Sequence, residues 1–120
     1  MANRTLAICR QAPYGSALAR EGLEAVLAAA AMDQSPELLF VNDGVFQLLD
    51  GQEPAAIEQK SLQRNLQALP MFGVETLHVC KLSLSQRGID PAQLQITGAE
   101  IVLVVDVGKF IAGFDIALNF

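Results

Sequence analysis

The segment Thr76-Leu77-His78-Val79-Cys80-Lys81-Leu82-Ser83 brings an imidazole, a thiol and an ammonium within a few positions of one another. Its apolar part reads as a buried strand that ends on Cys80, and a short helical pattern follows. In an open parallel sheet the ligand crevice lies outside the carboxyl ends of the strands, and the N-terminal end of the next helix favours negative charge there. A thiol so placed is suited to be a sulfur nucleophile, for which the thiolate is the reacting form. Cysteine is equally among the most often buried residues, so an inert Cys80 packed as a small hydrophobe is the competing reading.

In an extended strand, residues two apart project from the same face, which puts His78 beside Cys80. His78, Lys81 and the start of the following helix are each candidates to modulate the thiol. The competing reading packs His78 between helix and sheet with a ring nitrogen bonded to a carbonyl, and same-face spacing does not separate the two. Asp43-Gly44 closes another apolar run; Asp43 either aims a carboxylate into the same crevice or serves only the turn. Cys9 also sits near a strand end, but Arg10-Gln11-Ala12-Pro13 follows it instead of a helix start, and a core thiol is expected there.

The two cysteines are far apart and form no C-x-x-C pair, so no structural disulfide is expected. The single histidine does not supply the ligand set of a catalytic zinc, and neither G-x-G-x-x-G, a P-loop lysine nor G-x-S-x-G occurs. No metal or organic cofactor is expected.

The elements that must position these residues follow from pattern. Thr5 to Arg10 reads as a first strand, and Ser16 as the cap of a helix whose apolar positions Leu23, Val26, Leu27 and Ala30 run to about Met32. Glu37 to Asn42 is a second strand, Val45 to Leu49 a short helical turn, and Pro54 opens a helix with Leu62, Leu66 and Leu69 on its buried face. Pro70 stops that helix, Gly73 turns the chain, and Glu75 to Cys80 is the third strand. A brief helix over Leu82 to Arg87 ends at Gly88 as a left-handed cap. Gln93 to Thr97 is expected as strand four, a helix over residues 101–111 follows, and Asp115 to Phe120 is the last strand. Ile101-Val102-Leu103-Val104-Val105 is β-branched and favours a strand by propensity, but chain order asks for a helix here, with Asp106 and Lys109 on its polar side. The alternation predicts an α/β fold: one domain over 1–120, with an open, mostly parallel sheet of about five strands and helices on both faces.

Of 120 residues, 52% are hydrophobic and 18% charged, against about 25% charged in a typical soluble domain; mean hydropathy is +0.34. No apolar run approaches the roughly 20 residues that span a bilayer. The surplus therefore reads as subunit interface, with no membrane association. A formal net charge of −5, with eight scattered basic residues, supplies no footprint for direct nucleic-acid binding. The start of the chain does not read as a signal peptide, and a cytoplasmic location is expected.

Ala12-Pro13-Tyr14-Gly15, Arg20-Glu21-Gly22-Leu23, the run Asp43-Gly44-Val45-Phe46-Gln47-Leu48-Leu49, Gln52-x-Pro54 and Val79-Cys80-x-x-Ser83-Leu84-x-x-Arg87-Gly88 together resemble the TusC/DsrF family of sulfur-relay subunits. The resemblance covers nearly the whole chain, and the run from Asp43 is its most specific part. It implies a DsrE-like fold and assembly with TusB-like and TusD-like subunits into a heterohexamer, a dimer of trimers. Such a cytoplasmic sulfurtransferase complex passes persulfide sulfur to a TusE-like acceptor for 2-thiolation of wobble uridine in tRNA. The alternatives are a DsrEFH-like subunit of dissimilatory sulfur oxidation and a purely structural interaction subunit. By the resemblance, the principal sulfur-carrying cysteine belongs to the TusD/DsrE-type sister, at a strand end similar to that of Cys80. Cys80 is thus a candidate persulfide site, His78 its modulator, and Asp43, Gly44 and Phe46 line an interface or crevice. The apolar stretch Glu100 to Gly113 departs from the polar helix usual in the family.

Overall fold

The computed structural model describes residues 4–10, 18–31, 36–49, 66–94 and 99–120. Five strands, β1 (Thr5–Cys9), β2 (Glu37–Phe40), β3 (Thr76–Cys80), β4 (Glu100–Val104) and β5 (Ile116–Asn119), form one sheet in the order β4-β3-β2-β1-β5. Every pairing is parallel. Helices α1 (Leu18–Ala31), α2 (Lys81–Gln86) and α3 (Val107–Ala112) follow β1, β3 and β4, and a 3-10 segment, Asn42–Leu48, follows β2. The α/β class and the parallel sheet with helices on both faces agree with the sequence pattern. The expected cap Ser16 and the start of the helix opened by Pro54 lie outside the described residues.

Parallel strands covered on both faces become apolar at nearly every position, because both side-chain directions are buried. In β1, Ala7 and Cys9 pack with Leu38, Phe40, Leu77 and Val79 against Val26 of α1 and Leu84 of α2. The alternate residues Leu6, Ile8, Leu39, Val41, Cys80 and Val104 face the other way, towards Val107, Phe110, Ile111 and Phe114 in and after α3.

The expected helix over residues 101–111 is corrected by the structure. Ile101 to Val104 lies in β4, not in a helix: its β-branched side chains favour an extended chain, and the segment pairs in parallel with β3 at the sheet edge, with Val104 buried and Val102 exposed. Of the strand expected over Gln93 to Thr97, Gln93 closes a 3-10 turn, Pro91–Gln93, and Leu94 makes an isolated antiparallel bridge to Leu49, while residues 95–97 lie outside the described residues. The helix comes later, over Val107–Ala112, and Asp106 is its cap: its carboxylate accepts from the Lys109 N–H at 3.0 Å.

Two predicted turns have the geometry expected of them. Gly73 ends the 3-10 segment Leu69–Phe72 with φ of 90°. Gly88, at φ of 66°, closes α2. There the Ile89 N–H reaches the Leu84 carbonyl at 3.0 Å and the Gly88 N–H reaches that of Ser85 at 3.2 Å, with Ile89 and Leu84 both in the core. This is the Schellman arrangement, which satisfies carbonyls that a six-residue helix would otherwise leave open.

Candidate functional site

Cys80 is the last residue of β3 and the cap of α2, and its Sγ accepts the Ser83 N–H at 3.4 Å. The residue is 7% exposed and packs with Val104 and Leu39. Strand end and helix start thus meet on this thiol, as the sequence pattern predicted.

Ser83 is buried and is more than the donor to that sulfur. Its Oγ accepts the Asn42 N–H at 2.9 Å, and its carbonyl accepts Nη1 of Arg87 at 3.2 Å. Arg87 then donates from Nε and Nη2, at 3.1 and 3.0 Å, to Oδ1 of Asp43. Asp43 is therefore neither a free crevice carboxylate nor a turn residue alone; it anchors the arginine that ends α2.

Asn42 holds the left-handed conformation, φ 51°, and is the only non-glycine with positive φ among the described residues. The conformation costs an ordinary L-residue about 1 kcal/mol or more and asparagine less. Gly44 is buried where the chain presses on the end of β1: a Cβ there would lie 1.9 Å from the Cys9 carbonyl oxygen. That carbonyl also accepts the Val41 N–H at 3.0 Å. Phe46 is half-buried against the core on the α1 side. Cys80 packs in the other cluster, on the α3 side.

His78 shares the α3 face, as the spacing predicts, but its partners are elsewhere. Nε2–H donates to Oε1 of Glu37 at 3.2 Å, and the ring lies 4.6 Å from that of Phe110, tilted by 47°. Glu37 also pairs with Arg4 at 3.0 Å, and the Arg4 guanidinium sits 4.4 Å from the centre of the Phe114 ring. The Arg4–Glu37–His78 chain thus runs across the sheet, and α3 rests on it through the Phe110 ring against His78. Nδ1 is buried with no partner among the described residues. Beside it a groove of about 340 Å³ runs between β4 and α3, lined by His78, Val102, Phe110 and Lys109 among others.

Cys9 is the core thiol the sequence predicts. It is 1% exposed, and burial pushes its pKa up to about 12, which keeps it protonated and unreactive near neutrality. Neither cysteine is in a disulfide. Among the described residues no three His, Cys, Asp or Glu side chains gather where they would hold a metal ion.

Sequence reasoning singled out Cys80 and Asp43 separately and missed the residues that join them. Ser83 and Arg87 stood in the motif, but without roles. A signal was present in the opposite charges of Asp43 and Arg87, each next to a turn glycine, yet nothing local indicates that they meet. Glu37 and Arg4, the partners of the His78 network, carried no motif signal.

A family model described as the DsrE/DsrF-like family matches residues 3–120. The chain belongs to the DsrE/DsrF-like family. Its curated relatives place it in the TusC/DsrF branch. It is 48% identical over 96 residues to a protein named TusC homolog from Pseudomonas aeruginosa, with 80% of this chain and 81% of that one covered. Identity is 36% over 109 residues to the protein TusC of Shigella flexneri, covering 91% and 92%. Among solved structures, the ychN protein from E. coli superposes with a TM-score of 0.78 at 28% identity, over 98% of this chain and 99% of that one. The DsrE-like fold that the motifs implied is the fold of this family member.

Proposed function

We propose that this chain is the TusC-type subunit of a cytoplasmic sulfurtransferase complex that relays persulfide sulfur for 2-thiolation of the tRNA wobble uridine. In this reading it forms one DsrE/DsrF-like domain over 1–120 and assembles with TusB-like and TusD-like subunits as a dimer of trimers. A TusE-like protein takes the sulfur onward. The likeness to TusC proteins supports the branch, and the apolar excess of the composition supports an obligate partner. Val105, 79% exposed, and Leu82, 60% exposed, are large apolar side chains with surface left to cover.

The observation that carries the reading is the place of Cys80 at the end of β3 with its sulfur held by the Ser83 N–H. In sulfur transfer its thiolate attacks the outer sulfur of a persulfide. A sulfur–sulfur bond forms on Cys80, the donor's sulfur–sulfur bond breaks, and the donor cysteine leaves as thiolate; no external oxidant or reductant is consumed. The low exposure of Cys80 favours an organising role, with the principal carrier on the TusD-like sister and Cys80 as an accessory acceptor.

The test is intact-mass and peptide analysis of the co-purified complex after treatment with a persulfide donor. One added sulfur on the Cys80 peptide, lost in Cys80→Ser, establishes the acceptor role. Sulfur only on a sister subunit reduces this chain to a scaffold. Failure of any sister subunit to co-purify removes the relay assignment.

A further inference from the structure

β5 is an edge strand, and all four of its residues are exposed. Its alternation fixes two faces. Ala117 and Asn119 pair with Leu6 and Ile8 of β1 and share their α3 face, while Ile116 and Leu118, 41% and 48% exposed, point to the α1 face. The backbone alternates as well. The Ile116 and Phe120 N–H groups donate to the carbonyls of Arg4 and Ile8 at 3.1 and 2.8 Å, which turns the even-numbered residues towards β1. In a parallel ladder the residues between them direct their N–H and C=O groups the other way, so those of Ala117 and Asn119 point out of the sheet. Edge strands are ordinarily protected by lysine, proline, a bulge or a covering element, and Ile116-Ala117-Leu118-Asn119 carries no lysine or proline.

Both alternations single out one kind of partner strand. A second β5 laid antiparallel on this edge keeps like faces together only if odd-numbered residues oppose odd-numbered ones, and those are also the residues with backbone groups to share. A two-fold axis through Ala117 meets both conditions. It sets the small side chain of Ala117 against its own counterpart, Asn119 against the counterpart of Asp115, and Leu118 against that of Ile116, so the two large exposed apolar side chains cover each other. Charge agrees with this register. Asp115 stands at the start of β5, and Arg10 lies beside its end, where Nε donates to Asn119 Oδ1 at 2.8 Å. Both are exposed, and neither is in an ion pair among the described residues. Antiparallel pairing brings each Arg10 to the Asp115 end of the other copy, whereas a parallel neighbour would set like ends side by side.

We propose that the open edge of β5 pairs antiparallel with β5 of a second copy of this chain, about a two-fold axis at Ala117, and joins the two sheets into one. An isologous contact of this kind uses one patch twice, so every favourable side-chain pair occurs twice. Four paired residues bury less than the about 1,200 Å² of a stable stand-alone interface. The contact is therefore concentration-dependent in the isolated chain and firm in an assembly that holds the two copies together. The inference goes beyond the relay reading and needs only this chain; inside a dimer of trimers it puts the two copies at the two-fold axis.

The experiment is disulfide trapping in the full chain, purified alone and co-purified with its sister subunits, with each linkage located by peptide mapping. Opposed residues of a hydrogen-bonded antiparallel pair stand about 5.5 Å apart at Cα, within disulfide reach. Ala117→Cys is therefore expected to link to its own counterpart under mild oxidation by copper phenanthroline. Leu118→Cys alone is out of register with itself and stays unlinked, whereas Ile116→Cys combined with Leu118→Cys links position 116 of one chain to 118 of the other. Sedimentation gives a second reading at equal folded fraction: Leu118→Lys, at an exposed site, weakens self-association at least about ten-fold, Arg10→Glu weakens it, and adding Asp115→Lys to Arg10→Glu recovers it. Linkage of Ala117→Cys no faster than that of Leu118→Cys overturns the proposal, as does linkage of position 117 to a sister subunit or the absence of a 117-to-117 linkage from both preparations. Failure of the sister subunits to co-purify removes the relay reading and leaves this pairing to be decided on the chain alone.

Discussion

Arg87 donates two hydrogen bonds to one carboxylate oxygen of Asp43, a residue 44 positions earlier in the chain. Both bonds fall on Oδ1, so the pair is not the two-oxygen fork that gives arginine and carboxylate their best geometry. Arg87 is 21% exposed and Asp43 59%. At that exposure solvent screens the attraction, and the pair contributes about 0.5 kcal/mol to stability. A double-mutant cycle of Asp43→Asn and Arg87→Lys, read by urea unfolding, checks this. A coupling above about 2 kcal/mol would mean that the pair behaves as a buried one.

Gly44 tolerates no side chain. Alanine there places a Cβ 1.9 Å from a backbone oxygen, which is not free to swing aside. Gly44→Ala is expected to destabilise the fold by about 1–3 kcal/mol, the usual cost of overpacking, and to loosen the segment that carries Asn42 and Asp43. Thermal unfolding measures the first effect and hydrogen exchange at the Val41 amide the second.

Gly22 in α1 behaves differently, because its neighbour is a side chain. A Cβ at this position would lie 2.7 Å from Cγ of Phe120. In an open helix, Gly→Ala gains up to about 1 kcal/mol. Here the gain is expected to be cancelled or reversed in the wild-type background, and to reappear when Phe120→Ala removes the ring. The sign change between the two backgrounds, read from unfolding midpoints, is the test.

The buried thiol of Cys9 predicts an alkaline limit to stability. Its folded pKa is raised to about 12 from an ordinary value of 9.0. The contribution is fully present below the unfolded value and is lost as pH rises towards the folded one, because the unfolded chain gives up the proton first. Stability is expected to fall by about 1 kcal/mol per pH unit in that window. Urea titrations in mildly alkaline buffers should show the slope, and Cys9→Ala should flatten it.

Much of the fold was legible because local signals agreed. The runs Thr5 to Cys9, Glu37 to Phe40 and Thr76 to Cys80 are apolar, bounded by turn residues and of strand length. Gly88 could be read as a left-handed terminator since a helical pattern ended there. The stretch from Ile101 misled because a strand apolar on both faces has no alternation, so periodicity gives no vote and only β-branching speaks for the strand. At the site, Cys80 could be read from its place between two elements. Its relation to Asp43 could not, since the bonds that connect them depend on β2 and β3 being neighbours, which is a property of the sheet and not of either segment. His78 shows the limit of face arguments: the spacing gave its side of the strand correctly, while its partner Glu37 was fixed by the adjoining strand.

The position of β5 beside β1 has a consequence for how the chain matures during synthesis. β1 is made first and is interior to the sheet, yet one of its two neighbours is the strand made last. Until residues 116–119 have left the ribosome, the backbone groups of Leu6 to Ile8 on that side have no strand to pair with. A nascent chain therefore carries an apolar, open-edged strand throughout its elongation, a state prone to wrong pairing between chains.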